Sequence, residues 1–508
     1  MELELEQTQL AGYSAVLDTT LLHEETMEMI VPDACPDILR IVDTEAAVYL
    51  SSKDAMEGRT ELSGSIKAWV LYLPDGEEGM RRVEVTIPFT CGSDSPALTS
   101  GCRVVAIPRV QGADTRVINP RKVLVRANLA LSVRAYAPVT DTLCAGLDAP
   151  SEAGLEQLTE QMNTYVVACV EEKPFTFSDE LNLSGGRSEA AELLKCRTSL
   201  VCGESKVIGN KLIFKGESTL QILYRSQENT ICTADYTLPF SQIMEVSGAG
   251  EEADCDLEII PTQVSCALSP GDTRSFHVEL GFLAQAVVRE ERTITLLSDL
   301  YSTQYQLEVE RKSCDISRRL EHSMKSQSVR EIVESGSLAR TVLDSYVSVG
   351  QILQAREGDR LTLTADVGVT ILYEEEGGGT SAVRRQIPVS CQLELPEGCR
   401  CTCLCRCPEP VLATPTAGGV EVRFPLEFWY TALAQDTASG VSGVHLDEDT
   451  PRDNGAAPSI VLRMVGTGER LWDIAKAYGT TRTDIMQAND LEEDFLPTGQ
   501  LLLIPRRR

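Results

Sequence analysis

Apolar and polar residues alternate with a period of two in three stretches of the chain that resemble one another. They are residues 64–72, 216–224 and 365–373. Each stretch ends in a tyrosine, and Tyr72, Tyr224 and Tyr373 are 152 and 149 residues apart. Because successive side chains of a β-strand point to opposite faces, this alternation predicts a half-buried strand in each stretch. The spacing predicts three repeats of about 150 residues, each long enough to have its own core.

The residues after each tyrosine predict that this strand forms a hairpin with the next one. A polar turn follows the tyrosine, and a second β-type run closes on Pro88, Pro239 or Pro388, which lie 16, 15 and 15 residues beyond it. Proline donates no backbone hydrogen bond and is tolerated at a strand end, as this hairpin requires. Each repeat then finishes with a long alternating strand.

An apolar pair lies thirty residues before each tyrosine, at the end of a short stretch that has helix-like spacing. The pairs are residues 41–42, 193–194 and 342–343. We therefore expect one short helix beside several strands in each repeat. The fold class that follows is mainly β, with three tandem β-rich domains at residues 1–150, 155–310 and 311–435. Residues 436–459 are expected to form a polar linker, and residues 460–508 a small separate domain.

The last segment has the pattern of a small helical core. Leu471, Ile474, Ala475 and Tyr478 recur at helical spacing, and Gly479 follows as a helix stop. Residues 460–505 closely resemble the LysM family, whose fold is a strand, two helices and a closing strand. The resemblance implies an α+β (βααβ) domain at the C-terminal end of the sequence.

The LysM resemblance also implies a shallow groove between the first turn and the loop before the last strand. In this sequence the groove residues are Thr467, Gly468, Glu469, Arg470 and Leu471 on one lip and Asn489, Asp490, Leu491, Pro497 and Gly499 on the other. The family commonly binds glycans that contain N-acetylglucosamine there. Glu469 and Arg470 replace the family's usual Asp-Thr, so a charged side chain stands at the edge of the groove. A protein ligand is the alternative.

The repeats resemble a second family, the SPOCS domains of SipL-type spore coat morphogenesis proteins. The most recognisable stretch is residues 31–42, whereas the second repeat has a divergent sequence at 184–194. Three such domains followed by a LysM domain match that family's architecture. The resemblance implies a scaffold in the mother-cell cytoplasm, at the forespore surface and spore coat. There it is expected to bind a spore coat morphogenetic ATPase through its LysM domain.

The overall charge limits the choice of partners. The chain has 46 basic and 76 acidic residues, a formal net charge of -30, which repels nucleic acid. The N-terminal residues are acidic where a signal peptide needs a basic region, and no apolar run reaches the roughly 18 residues of a membrane span. We therefore expect a cytoplasmic protein without a transmembrane segment.

Five cysteines alternate with other residues between Cys399 and Cys407. On a strand they would lie in a row on one face, whereas metal ligands usually come from turns that bring the sulfurs together. The sequence is compatible with two interpretations of these cysteines, a core strand and a metal or thiol site. No catalytic motif occurs, and the four histidines are scattered, so we predict no catalytic residue, no metal site and no cofactor. The competing functions are a glycan-binding wall protein and a LysM-bearing hydrolase.

Overall fold

The computed structural model describes residues 3–452 and 458–506. The first repeat has six strands: β1 (Glu4–Ile30), β2 (Ile38–Met56), β3 (Arg59–Pro74), β4 (Arg81–Asp94), β5 (Arg103–Asn119) and β6 (Lys122–Asp148). Strand β6 lies between β1 and β5 in one antiparallel sheet, and β3 lies between β2 and β4 in another. Leu62 and Ile66 of β3 and Val125 and Leu129 of β6 are fully buried in a shared core. The repeat is therefore a two-sheet sandwich.

The second repeat has the same arrangement. Its strands are β7 (Leu155–Asn182), β8 (Ala190–Ile208), β9 (Lys211–Ser226), β10 (Ile231–Glu245), β11 (Asp254–Leu268) and β12 (Ser275–Ser302). Strand β12 pairs with β7 and β11, and β9 pairs with β8 and β10. A one-turn 3₁₀ helix (Ser151–Ala153) precedes the repeat.

The third repeat differs in its fifth strand, which is split in two. Its long-strand sheet is also separate, whereas those of the first two repeats are joined where β1 pairs with β7. Its strands are β13 (Tyr305–Val333), β14 (Ala339–Glu357), β15 (Arg360–Glu375), β16 (Thr380–Glu394), β17 (Arg400–Arg406), β18 (Leu412–Thr416) and β19 (Gly419–Pro451). Strand β19 pairs with β13 on one side and with β17 and β18 on the other. The expected mainly β fold is confirmed.

The three tyrosines hold equivalent places, as the repeat pattern predicts. Each lies near the end of the middle strand of its hairpin sheet and is almost fully buried. Tyr72 donates a hydrogen bond to the carbonyl of Pro36, and Tyr224 donates one to that of Ser188. Tyr373 meets the hydroxyl of Ser337, also 36 residues upstream, at 3.4 Å. The predicted hairpins β3–β4, β9–β10 and β15–β16 are present as well. Their second strands do not end at the prolines, as expected, but continue about six residues further, because each is an edge strand in which proline is tolerated.

The expectation of a short helix in each repeat is wrong. The apolar pairs lie in strands β2, β8 and β14, and each strand has a register shift at that point. The shifts fall between Ile41 and Asp43, between Leu193 and Lys195, and between Val342 and Asp344. A β-bulge sets two residues against one partner residue, so neighbouring apolar residues can both be buried. The bulge thus produced the spacing that resembled a helix.

The bulged residues bring the three repeats together. Val42, Leu194 and the partly buried Leu343 hold equivalent positions, one in each repeat, and lie in one apolar cluster. A second set of equivalent residues, Leu71, Leu223 and Leu372, completes that cluster. A second shared cluster contains Cys144, Leu297 and Val441 of the long strands β6, β12 and β19. The repeats are therefore arranged around a common axis with approximate threefold symmetry.

A buried ionic cluster lies beside the first of these contacts. Lys195, 2% exposed, places its Nζ 2.5 Å from Asp43, 3.1 Å from Glu45 and 3.7 Å from Asp344. Arg197 pairs with Glu45 at 2.6 Å and with Asp344 at 2.9 Å. Burial alone would raise the pKa of Asp344, but the charges of Arg197 and Lys195 lower it to about 2. The second repeat supplies the cations, and the first and third supply the anions.

The expected linker is largely strand. Residues 436–451 belong to β19 and pair with β13, while residues 453–457 lie outside the described part of the chain. Similarly, residues 141–148 belong to β6. These segments form two-stranded ribbons in which exposed polar residues alternate with buried ones such as Cys144 and Val441, so their composition resembled that of a linker.

Candidate functional site

The C-terminal domain has the strand–helix–helix–strand order that the resemblance implies. Its elements are β20 (Ile460–Met464), α1 (Leu471–Tyr478), α2 (Arg482–Ala488) and β21 (Leu501–Pro505). Ile474, Ile485 and Leu502 are at most 1% exposed and form its core. Gly479 ends α1 in the left-handed conformation at φ 64°, which favours glycine. The Thr481 hydroxyl caps α2 by accepting a hydrogen bond from the N–H of Asp484.

Backbone hydrogen bonds hold the two lips of the expected groove side by side. Val465 accepts a bond from the N–H of Gly499 at 2.9 Å and donates one to the carbonyl of Gln500 at 2.9 Å. The exposed lip residues are Thr467, Gly468, Arg470, Asp490, Pro497 and Gly499. The structure therefore brings the turn and the loop together and leaves both open to solvent.

The other expected groove residues stabilise the domain. Leu471 is 1% exposed and belongs to the core, and Leu491 packs partly against it. The Asn489 side chain donates hydrogen bonds to Ile485 and Leu503 and accepts one from the N–H of Leu503, all at 2.7 Å. This amide fixes the end of α2 to β21, so it has no free polar atom to offer a ligand.

Two charged residues of the first lip make local ion pairs. Glu469 lies 2.5 Å from Arg463 and accepts a hydrogen bond from the N–H of Gly466 at 2.8 Å, which closes the turn. Arg470 makes two contacts with Asp473, at 3.0 and 3.2 Å, and its side chain is 60% exposed. Arg470 is thus the exposed cation of this lip, whereas Glu469 is part of the turn.

Phe495 was missed by the sequence reasoning. It lies in the loop of the second lip and is 75% exposed. The sequence does contain a signal for it: Phe495 is a large aromatic residue that follows three acidic residues, 492–494. No apolar periodicity around it predicts a buried position.

The domain docks through helix α1 on the second repeat. Trp472 donates a hydrogen bond to Asp299 of β12 at 2.8 Å, and Lys476 lies 2.7 Å from the same carboxylate. The Tyr301 ring meets the Trp472 ring edge to face at 4.9 Å, and its hydroxyl donates a hydrogen bond to the carbonyl of Thr480. One side of the domain is therefore fixed on β12, while its lips stay exposed.

The alternating cysteines form one face of β17 that packs on the core of the third repeat. Cys405 is 1% exposed, and the other four are partly buried against the same core. Burial raises the pKa of the Cys401 and Cys405 thiols to about 12. Within residues 3–452 and 458–506, no group of three or more His, Cys, Asp or Glu side chains has an arrangement that could hold a metal ion. The geometry favours the core-strand interpretation.

Comparison with protein families identifies two kinds of domain. The model described as SipL, SPOCS domain, matches residues 37–133 and 189–269, and the model of the LysM domain matches residues 464–505. The chain carries SipL-type SPOCS domains and a C-terminal LysM domain. The SPOCS matches cover the hairpin sheets of the first two repeats and part of their long-strand sheets. The third repeat has the same strand order although its residues are not among those matched.

SPOCS and LysM are binding domains, and together they fit a sporulation protein related to the spore coat, with a LysM module of the peptidoglycan-binding kind. A search of curated proteins gave no match, and a search of solved structures gave none either. Among the described residues, no helix has the length and apolar character needed to span a membrane.

Proposed function

We propose that this chain is a non-enzymatic scaffold of spore coat assembly with three tandem SPOCS-like domains ahead of the LysM domain. It acts at the forespore surface in the mother-cell cytoplasm. Its LysM groove binds the ATPase that anchors the coat. The observation that carries the proposal is the orientation of the LysM domain: α1 is docked on β12, and the two lips face solvent.

The character of the first lip supports a protein ligand. The Arg470 guanidinium is exposed and held in place by Asp473, so little conformational freedom is lost when it binds. Arginine binds carboxylates through two parallel hydrogen bonds and is enriched among residues that dominate interface energies. A partner that presents an acidic side chain would meet Arg470 beside the exposed Thr467.

A glycan that contains N-acetylglucosamine is the second candidate, and one observation favours it. Phe495 is 75% exposed on the second lip, where its ring offers a flat apolar surface beside polar backbone groups. Ligand sites commonly combine aromatic surface with a few polar groups. Phe495 is therefore the residue that separates the two candidates, because a sugar would contact its ring face.

The deciding experiment measures capture of the purified coat ATPase by the full chain. Replacing Arg470 with alanine should weaken capture by about 1 to 3 kcal/mol, the range for a hydrogen bond to a charged group. Arg340→Ala is the matched control, because Arg340 is similarly exposed, at 66%, and lies in the third repeat. Capture that is unchanged in Arg470→Ala, together with chito-oligosaccharide binding that is lost in Phe495→Ala, would assign the groove to glycan.

A further inference from the structure

Arg134 of β6 is a buried cation whose hydrogen-bond donors meet no acceptor among the described residues. The residue is 7% exposed and lies on the face of its sheet that is turned toward the other two repeats. Its guanidinium makes neither a close ion pair nor a hydrogen bond with any residue in the described ranges. Burial alone would lower the pKa of Arg134, but Tyr136, Asp256 and Asp18 raise it, so the charged form is favoured while its N–H donors stay unused.

The nearby carboxylates are already matched by other arginines. Asp18, which lies opposite Arg134 on β1, pairs with Arg400 at 3.5 Å. Asp256 of β11 pairs with Arg289. Glu258, two residues along β11, pairs with Arg406 of β17. Each of these three carboxylates therefore pairs directly with an arginine other than Arg134.

Arg134 lines a cavity of about 150 Å³ between the repeats. The other titratable side chains of its wall include Asp256, His322, Arg406 and Glu204, and Glu204 is exposed. His322 shares a hydrogen bond with the Thr431 hydroxyl at 2.9 Å. The volume equals roughly five waters, which is well below the several hundred Å³ that drug-sized ligands need. The cavity accommodates only a small group.

We propose that this cavity binds one small oxyanion, a phosphate or carboxylate group, through the guanidinium of Arg134. A guanidinium offers five N–H donors in a planar fork that matches the oxygens of such a group. His322 lies on the same wall and belongs to the third repeat. The bound anion would accept the hydrogen bonds that the Arg134 guanidinium donates to no protein group, and it would lie between the first repeat and the third.

The test is calorimetric titration of the full chain with inorganic phosphate, and separately with acetate, at constant ionic strength set by sodium chloride. We expect one saturable site for at least one of the two anions, and the better ligand tells which chemistry the cavity takes. Arg134→Gln should weaken that binding at least about tenfold. Arg126→Gln is the matched control, because Arg126 lies on the same strand, is solvent-exposed and pairs with Asp114. It should bind as the wild type does.

Stability separates an anion site from a purely structural arginine. Phosphate or acetate should raise the wild-type melting temperature but not that of Arg134→Gln. Without either anion, Arg134→Gln should be no more stable than the wild type, because it removes the attraction that Asp256 and Asp18 exert on the guanidinium. If that variant does not fold, Arg134→Lys decides: about tenfold weaker binding supports the site, since lysine lacks the planar fork. Absence of binding to the wild type, or equal binding to the variant, overturns the proposal.

Discussion

The ammonium group of Lys195 lies 2.5 Å from a carboxylate oxygen of Asp43, and the two residues hold the same position in consecutive repeats. Asp43 lies opposite Leu71 in its sheet, and Lys195 lies opposite Leu223. The third member of this set is Asp344, opposite Leu372. The second repeat thus brings a positive charge to one place on the axis, where the first and third repeats each bring a negative charge.

Replacing Lys195 with methionine should destabilise the protein strongly. The change leaves Asp43, Glu45 and Asp344 together with only Arg197 to balance them, and breaking a buried ion pair from one side costs about 3 to 5 kcal/mol. Chemical denaturation of both proteins gives the difference in the free energy of unfolding. Lys67→Met is the control: Lys67 pairs with Glu84 at 2.9 Å in a more exposed place, where a pair contributes about 0 to 1 kcal/mol. Equal losses in the two variants would contradict the importance of the cluster.

Acid should weaken the same cluster over a defined pH range. The folded-state pKa of Asp344 is about 2, below its ordinary value of 3.8, so the folded state binds a proton less readily than the unfolded state. The stability that this carboxylate contributes is present above pH 4 and is lost as the pH falls toward 2. Denaturation midpoints measured between pH 5 and pH 2 should fall less steeply for Asp344→Asn than for the wild type. Asp94→Asn, at an exposed site, should keep the wild-type slope.

The thiols of β17 should react slowly and hold no metal in the folded protein. Because burial raises the pKa of Cys405 to about 12, almost none of it is the reactive thiolate at pH 8. Iodoacetamide should leave Cys405 unmodified in the native chain and label it in denaturant, as read by peptide mass spectrometry. Replacing Cys403 and Cys405 with valine should leave the protein folded. One zinc per chain in elemental analysis, lost in that variant, would show that the strand is a metal site.

Asp299 should control how tightly the LysM domain is docked. Asp299→Asn removes its ion pairs with Lys476 and Arg311 and weakens the acceptor of the Trp472 hydrogen bond. We expect amides of α1 to exchange with deuterium at least about tenfold faster, which corresponds to about 1.4 kcal/mol. Asp473→Asn changes an exposed carboxylate of the same helix and should leave this exchange as it is. If both variants exchange alike, the docking contact does not protect α1.

The sequence predicted the elements whose pattern is local. Period-two alternation identified the strands that end at Tyr72, Tyr224 and Tyr373, and helical spacing identified the core of the LysM domain. The pairs at 41–42, 193–194 and 342–343 misled because a bulge and a helical turn both bury neighbouring residues. The polar residues of β19 beyond 435 misled because only scattered residues of that part of the ribbon, such as Ala438 and Val441, are buried.

Contacts between distant residues were not predictable in this way. Trp472 and Asp299 are 173 positions apart, and each looks ordinary in its own segment: an aromatic on a helix and an acid on a strand. The unused hydrogen-bond donors of Arg134 likewise emerge only when three repeats are packed and the nearby carboxylates are paired with other arginines. Asn489 had been assigned to the groove from the family's pattern, whereas its three hydrogen bonds make it a structural residue.

In each repeat the first and last strands lie side by side, as β1 and β6 do from Glu4 opposite Asp148 to Ile30 opposite Lys122. A unit that starts and finishes at the same edge can be duplicated head to tail without a long connection, so gene duplication could lengthen this protein at little structural cost. The arrangement of the three repeats around a common axis limits that growth, since the apolar cluster on the axis already contains two equivalent residues from each repeat. Because the second copy supplies the cations there and the other two supply the anions, the order of the copies along the chain is part of the fold.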